Sequence, residues 1–157
     1  MEQCYNHTKP AGWVEWQHKH PWIVSDDNTL PENSAMQQWS KNVFEASAKF
    51  GCPFEDTVHI RQRMEDAGFV DVQEHILKLP IGPWPKDKRL KKVGAFEVVN
   101  MVDGIEGLSF RLFSKALGMS ADQIQLNLME VRSEAKNSKI HSYYPFYVVF
   151  GRKPGGE

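Results

Sequence analysis

Apolar and polar residues alternate over short stretches of the chain and recur at helical spacing over longer ones. Trp13 to Gln17 alternates large apolar with polar side chains, which predicts a strand. It follows Lys9-Pro10-Ala11-Gly12, a turn in which proline fixes φ and glycine frees it. Residues 18–33 hold Pro21, Asp26, Asp27, Asn28 and Pro31, and read as a loop long enough to invite a functional explanation. Ser34 suits an N-cap, and Ala35 to Phe50 places Met36, Trp39, Val43, Phe44 and Ala46 at helical spacing before Gly51 stops the run. A shorter helix is expected from Thr57 to Ala67, ended by Gly68. Phe69 to Leu79 reads as a second strand, closed by Pro80, and the connector through Pro83 and Pro85 is rigid and non-helical. Asp87 to Leu117 is helical in pattern, with a break expected at Gly104 and Gly107. Ser120 followed by Gln123 is a capping-box pattern, and its helix runs to about Lys136. Pro145 to Gly151 is an aromatic and β-branched third strand, and Arg152 to Glu157 is a Pro/Gly-rich tail. Three strands and about five helices make an α/β chain, expected to be one domain over 1–157.

Composition narrows the classes of function. Nineteen basic residues face twenty acidic ones, for a formal charge of -1, so no electrostatic case exists for nucleic acid or an anionic membrane as partner. The basic cluster from Lys86 to Lys92 reads as a solvated helix start. Cys4 and Cys52 have no metal-ligand spacing, which suits a reduced compartment. No apolar run approaches the roughly 20 residues that span a bilayer, and the first seven residues lack the pattern of a signal peptide. A soluble, cytoplasmic chain is expected.

Candidate chemistry is sparse. No metal site is expected, since no histidine pairs with a carboxylate at a ligand spacing. Nucleophilic catalysis lacks a G-x-S-x-G motif, and Cys52 sits in a Gly-Cys-Pro turn. His18 and His141 are candidates for a base near neutral pH, against the alternative of surface histidines. Asp26 and Asp27, with Glu15, are carboxylates that can do acid/base work only if their surroundings separate their pKa values; otherwise adjacent aspartates simply solvate a loop.

Three stretches carry a resemblance. "KPAGWVEWQ" resembles the "KPGGW-E-QE" run leading into the fifth strand of class I S-adenosylmethionine-dependent methyltransferases. "MEDAGFVDVQEHILKLPIGPWPKDKRLKKVG" resembles that family's helix, "AGF" turn and sixth strand, followed by a helical insertion, here 87–136. "KIHSYYPFYVVFGRKP" resembles its seventh strand and tail. The chain thus resembles the C-terminal half of such an enzyme, closest to the fungal secondary-metabolism regulator and tailoring branch. The resemblance implies a partial Rossmann-like fold with strands equivalent to 5, 7 and 6 of the order 3-2-1-4-5-7-6, the seventh antiparallel.

The same resemblance says what is lacking. The family binds its cofactor on a glycine-rich turn after strand one and an acidic residue after strand two. No G-x-G follows a strand here, and Gly104-x-x-Gly107 lies in a helical pattern. The chain by itself is expected not to bind S-adenosylmethionine, and would do so only with a complementary N-terminal half. The family's acceptor region maps onto Trp16, Trp84, Phe96, Asn100, Phe110, Tyr143 and Tyr144, each of which also suits simple packing. Met101 and Met119 suit an adaptable apolar wall or a core. Three readings follow. One is a cofactor-independent tailoring enzyme that cyclises or rearranges an apolar small-molecule intermediate. Another is a non-catalytic partner that pairs through the strand at 13–17 with a second copy or a complementary methyltransferase half. The third is a truncated fragment of a methyltransferase.

Overall fold

The computed structural model describes residues 1–155, all but 55 and 56 with their side chains; the end of the tail, residues 156–157, lies outside the described residues. In chain order the elements are α1 (Glu2–His7), β1 (Trp13–Lys19), β2 (Val24–Ser25), α2 (Ala35–Lys49), a 3-10 helix (Phe54–His59), α3 (Ile60–Asp66), β3 (Val70–Pro80), α4 (Lys88–Ala116), α5 (Ala121–Ala135) and β4 (Ser142–Arg152). β4 is the central strand. It pairs antiparallel with β1, Trp13 opposite Arg152 through Lys19 opposite Phe146, and with β2, Val24 opposite Tyr143. β3 pairs with β4 as well, so β4 stands between β1 and β3, the order expected for strands 5, 7 and 6.

The chain forms two compact units, both of which take residues from β3 and β4. One comprises Met1–His20, Glu55–Leu77 and the chain from Phe146. Its core is Ile60, Met64, Phe69 and Val149, with Tyr5, Val14 and Val72 against it. Tyr5 meets Phe69 edge to ring at 5.1 Å. The turn before β1 departs from the expected division of labour. Ala11, not Gly12, takes the left-handed conformation (φ 60°), and the amide of Ala11 bonds the carbonyl of Lys153. Gly12 is needed for space instead: a Cβ there would lie 2.8 Å from the Lys9 carbonyl oxygen.

The other unit comprises Pro21–Phe54 and Lys78–Pro145, and holds the larger core. α2, α4 and α5 pack on one another through Met36, Trp39, Val43, Ile105, Phe113, Ile124, Leu128 and Val131. α4 runs unbroken for 29 residues, so the break expected at Gly104 and Gly107 does not occur. Each glycine costs about 1 kcal/mol in helix propensity. A stripe at four-residue spacing, Met101, Ile105, Ser109 and Phe113, is buried on both sides of the two glycines and outweighs that cost. The indole N–H of Trp39 donates to Ser109 Oγ at 2.8 Å inside this core. The apolar residues of α4 exceed what one face can bury, so Leu90, Phe96 and Val99 remain exposed.

Two long-range contacts fix how these helices start. α2 begins at Ser34, whose side chain accepts from the Gln37 amide, as the sequence predicts. The carboxylate of Glu134, on α5, accepts from Ser34 Oγ (2.6 Å) and from the amides of Ala35 (2.9 Å) and Met36 (3.0 Å). Orphan N–H groups at a helix start thus find a partner a hundred residues away, and the negative charge also suits the helix dipole. At the start of α4, Gly94 packs on the connector: a Cβ there would lie 2.0 Å from the Gly82 carbonyl oxygen. The capping box at Ser120 and Gln123 forms as predicted.

Glu134→Ala should lower stability by about 2 kcal/mol, since hydrogen bonds to a charged group are each worth about 1.5–3 kcal/mol and a cap about 1; urea unfolding by circular dichroism measures it. Gly94→Ala should cost more, about 3 kcal/mol or above, because backbone atoms must move to admit the methyl group. A midpoint within 0.2 M of wild type, roughly the resolution of such curves, would refute either assignment.

Candidate functional site

The carboxyl end of β3, the amino end of β4 and the loop after β2 bring five titratable or aromatic side chains of this second unit together. Asp26 and Asp27 follow Ser25 of β2. Asn28 takes a left-handed turn (φ 58°), which brings Thr29 back onto Asp27. Asp27 Oδ1 accepts from Ser25 Oγ (2.9 Å), Thr29 Oγ1 (2.8 Å) and the Thr29 amide (3.3 Å). Its Oδ2 lies 2.5 Å from Nδ1 of His141. The His141 amide in turn donates to Thr29 Oγ1 at 2.8 Å. Trp84, from the rigid connector, stacks on the His141 ring at 5.1 Å and 28°, and its own N–H donates to the Ser142 carbonyl at 3.0 Å. The other aspartate has different partners. Asp26 pairs with Lys78 and accepts from the Tyr143 hydroxyl at 2.8 Å, while Lys78 Nζ sits 5.1 Å over the Tyr143 ring.

The adjacent carboxylates are therefore separated by their partners. The hydrogen bond from His141, with those of Thr29 and Ser25, holds Asp27 well below the ordinary carboxylate range. The Lys78 ammonium and then the Tyr143 hydroxyl lower Asp26. Asp26 raises Lys78 in return. Burial, then Asp26, raises Tyr143.

Of the residues singled out in the sequence, His141, Trp84 and Tyr143 meet here with Asp26 and Asp27. The others do not join them. Tyr144 is buried in the core, its hydroxyl directed at Met101 Sδ (3.5 Å), and burial raises its pKa. Phe96 is 78% exposed on α4, Asn100 lies one turn on beside Glu97, and Phe110 is exposed farther along the helix. A hollow of about 310 Å³ on α4 is lined by Val98, Val99, Val102, Asp103 and Lys136, and by none of the seven candidates. Trp16 and His18 belong to β1 and the first unit, as does Glu15. Trp16 is exposed there. His18 stacks on Tyr147 at 4.9 Å and 8°. Neither of its ring nitrogens has a partner of good geometry, and burial lowers its pKa, with the nearby Thr57 backbone countering only in part. Sequence reasoning missed Ser25, Thr29 and Lys78. The S-x-D-x-T spacing is a turn signal that pointed to the first two; nothing local pointed to Lys78.

Among the described residues no group of three His, Cys, Asp or Glu side chains could hold a metal ion, and no helix is long and apolar enough to cross a membrane.

No protein-family profile matches the chain. Individual proteins do. It is 34% identical over 154 residues to the methyltransferase pytC of Aspergillus terreus, covering 98% of this chain and 48% of that protein. It is 35% identical to the probable methyltransferase tdiE of Emericella nidulans, with 98% and 49% covered. It is 29% identical to the secondary metabolism regulator LAE1 of Cochliobolus heterostrophus, with 98% and 50% covered. The chain is a homologue of fungal secondary-metabolism methyltransferases. It spans about half the length of the curated relatives it matches. The methyltransferase-like α/β architecture and the strand order agree with that kinship.

Such enzymes imply S-adenosylmethionine, which needs glycine backbone open to the ligand between a strand and a helix. The connection here that leads from a strand into a long helix with a left-handed glycine is the one after β3, at Gly82 (φ +94°). Its carbonyl lies against Gly94, and its amide donates to the Gly94 carbonyl at 3.0 Å. That turn is closed onto its own helix. It offers no open glycine backbone to a cofactor at that point.

Because the folded-state pKa of Asp27 is depressed, its contribution to stability is present above the unfolded carboxylate pKa of about 4 and is lost as pH falls below it. Thermal melts from pH 6 to pH 2 should therefore show a shallower loss of Tm for Asp27→Asn than for wild type, with the difference confined to the region below about pH 4. The group is exposed, so added salt should narrow the gap. Parallel curves would contradict the assignment.

Proposed function

We propose that this methyltransferase homologue acts on a small, largely apolar intermediate of a fungal secondary-metabolite pathway as a cofactor-independent tailoring enzyme. The convergence of Trp84, His141 and Tyr143 with Asp26 and Asp27 at the end of β3 carries the reading. In open α/β sheets ligands bind beyond the carboxyl ends of strands, and the cluster lies at such an end. Trp84 supplies an aromatic wall. His141 supplies a positioned proton acceptor, and Asp26 with Lys78 and Tyr143 a polar rim. Orientation and a single proton transfer are enough for a cyclisation or rearrangement. The closed Gly82 turn supports the view that methyl transfer is not the activity of these residues alone. The kinship with pytC and tdiE supports the pathway class.

A second reading rests on β1. Among the described residues this strand pairs with β4 only. Trp13 is 56% exposed on it and Trp16 41%, and the strand carries neither proline nor a row of lysines to blunt an open edge. In this reading the edge pairs with the other half of a methyltransferase-like chain, because the matched relatives are about twice as long. Light scattering of the chain mixed with the unmatched half of pytC should then give a one-to-one complex. Self-association, or two separate monomers, would exclude that partner.

For the first reading the deciding measurement is calorimetric titration with S-adenosylmethionine. No heat is expected from micromolar to millimolar cofactor. A clear one-to-one isotherm would sink the cofactor-independent reading and return methyl transfer to first place.

A further inference from the structure

The strand-end cluster holds one arrangement more specific than a polar rim, and its interpretation rests on the acceptor-site reading above. We infer that Asp27 fixes His141 in a single tautomer, so that Nε2 is the proton acceptor for a planar substrate bearing a hydroxyl group.

Donor and acceptor roles settle the tautomer. The Asp27 carboxylate is an acceptor only. Three donors, Ser25 Oγ, Thr29 Oγ1 and the Thr29 amide, already fix its orientation. The ring nitrogen 2.5 Å from its Oδ2 is therefore an N–H, and in the neutral ring the lone pair sits on Nε2. Nε2 makes no hydrogen bond among the described residues, and the His141 side chain is 38% exposed, so a ligand can reach it. Thr29 ties both partners to one reference point. Its hydroxyl donates to Asp27 and accepts from the backbone N–H of His141. Asp26 does not compete, because Lys78 and Tyr143 engage it. The division makes Asp27 a positioning residue for His141.

Exposure argues against a purely structural purpose. An ion pair between half-exposed groups contributes little to stability, yet this one is held by bonds from two neighbouring residues. Trp84 stacked on the His141 ring then selects ligand shape. A flat, apolar body lying edge to edge with the imidazole, against the same Trp84 face, brings its hydroxyl to Nε2 in the ring plane. In the step itself the substrate O–H bond breaks and an Nε2–H bond forms. The electron pair stays on oxygen, and the imidazolium charge is faced by Asp27. The proton leaves to water when the ring returns to its neutral form. Phenols and enols are the substrate class this chemistry fits, since their oxygen acidity is within reach of imidazole.

Long-range proton–nitrogen correlation spectra at pH 8.5 test the assignment. Wild-type His141 should show Nδ1–H with bare Nε2, and in Asp27→Asn, whose amide donates as well as accepts, a substantial Nε2–H population should appear. Asp27→Ala serves as the second variant, and the wild-type spectrum decides even if both variants fail to fold. Wild-type protein carrying Nε2–H overturns the inference. Titration with 2-naphthol, a planar phenol, should shift His141 Nε2 severalfold more than any of the other five histidines; equal or absent shifts overturn the substrate class. These readouts need no turnover. A fixed tautomer with selective naphthol binding, alongside a clear S-adenosylmethionine isotherm, would leave this inference standing while the cofactor-independent reading failed.

Discussion

Glu134 is the constraint on which the larger unit depends. Three donors at the start of α2, one hydroxyl and two amides, converge on its carboxylate. Without it those groups would be left beside a packed three-helix core, where unpaired polar groups are costly. With it, α5 is anchored at its C-terminal end to α2, while Arg132 anchors it to α4 through the Val102 carbonyl (3.1 Å) and Glu106 (3.2 Å). Residues 132 and 134 sit on different sides of the helix, so one turn of α5 fixes two neighbours.

The candidate site follows from that anchoring. α2 begins at Ala35, and the loop before it returns to the start of β4 through Thr29. Residues 24–29 are held by the β2 pairing and by the bonds of Asp27 and Thr29. β2 pairs with Tyr143 and Ser142, which places Asp26 and Asp27 beside the first residues of β4. The rigid Pro-rich connector after β3 brings Trp84 onto His141 from the other side, with Ile81 N–H bonding the Ser142 carbonyl (2.9 Å). Short segments with fixed ends thus place chemistry-bearing side chains at one strand end, while the long helices carry the burial.

Most of the elements were legible in the sequence, for definite reasons. Alternating runs gave β1 and β3, a continuous aromatic and β-branched run gave β4, and Ser34, Ser120 and Gln123 gave helix starts because caps are local bonds. Where reading failed, a distant contact had overridden a local signal. Gly104 and Gly107 suggested a break, but burial of the Met101–Ile105–Ser109–Phe113 stripe holds α4 through them. β2 has only two residues and exists because Tyr143 and Ser142 lie opposite. α1, also unforeseen, carries Tyr5 onto Phe69. Within the site, His141, Trp84 and Tyr143 were visible as candidates, but so were Phe96, Phe110 and Tyr144. Periodicity shows that a residue is aromatic and flanks a turn; it does not show which side of a helix finds a partner.

By itself, the sequence determined the main strands, the helix caps and, in three motif stretches, the methyltransferase kinship, because each is written in contiguous residues; the strand order came only through that resemblance. Tertiary structure alone decided that Asp26 and Asp27 take different partners, that Gly82 is closed by Gly94, and that a histidine 114 residues away completes the Asp27 turn. Those outcomes depend on distances between segments far apart in the chain, which no local pattern encodes.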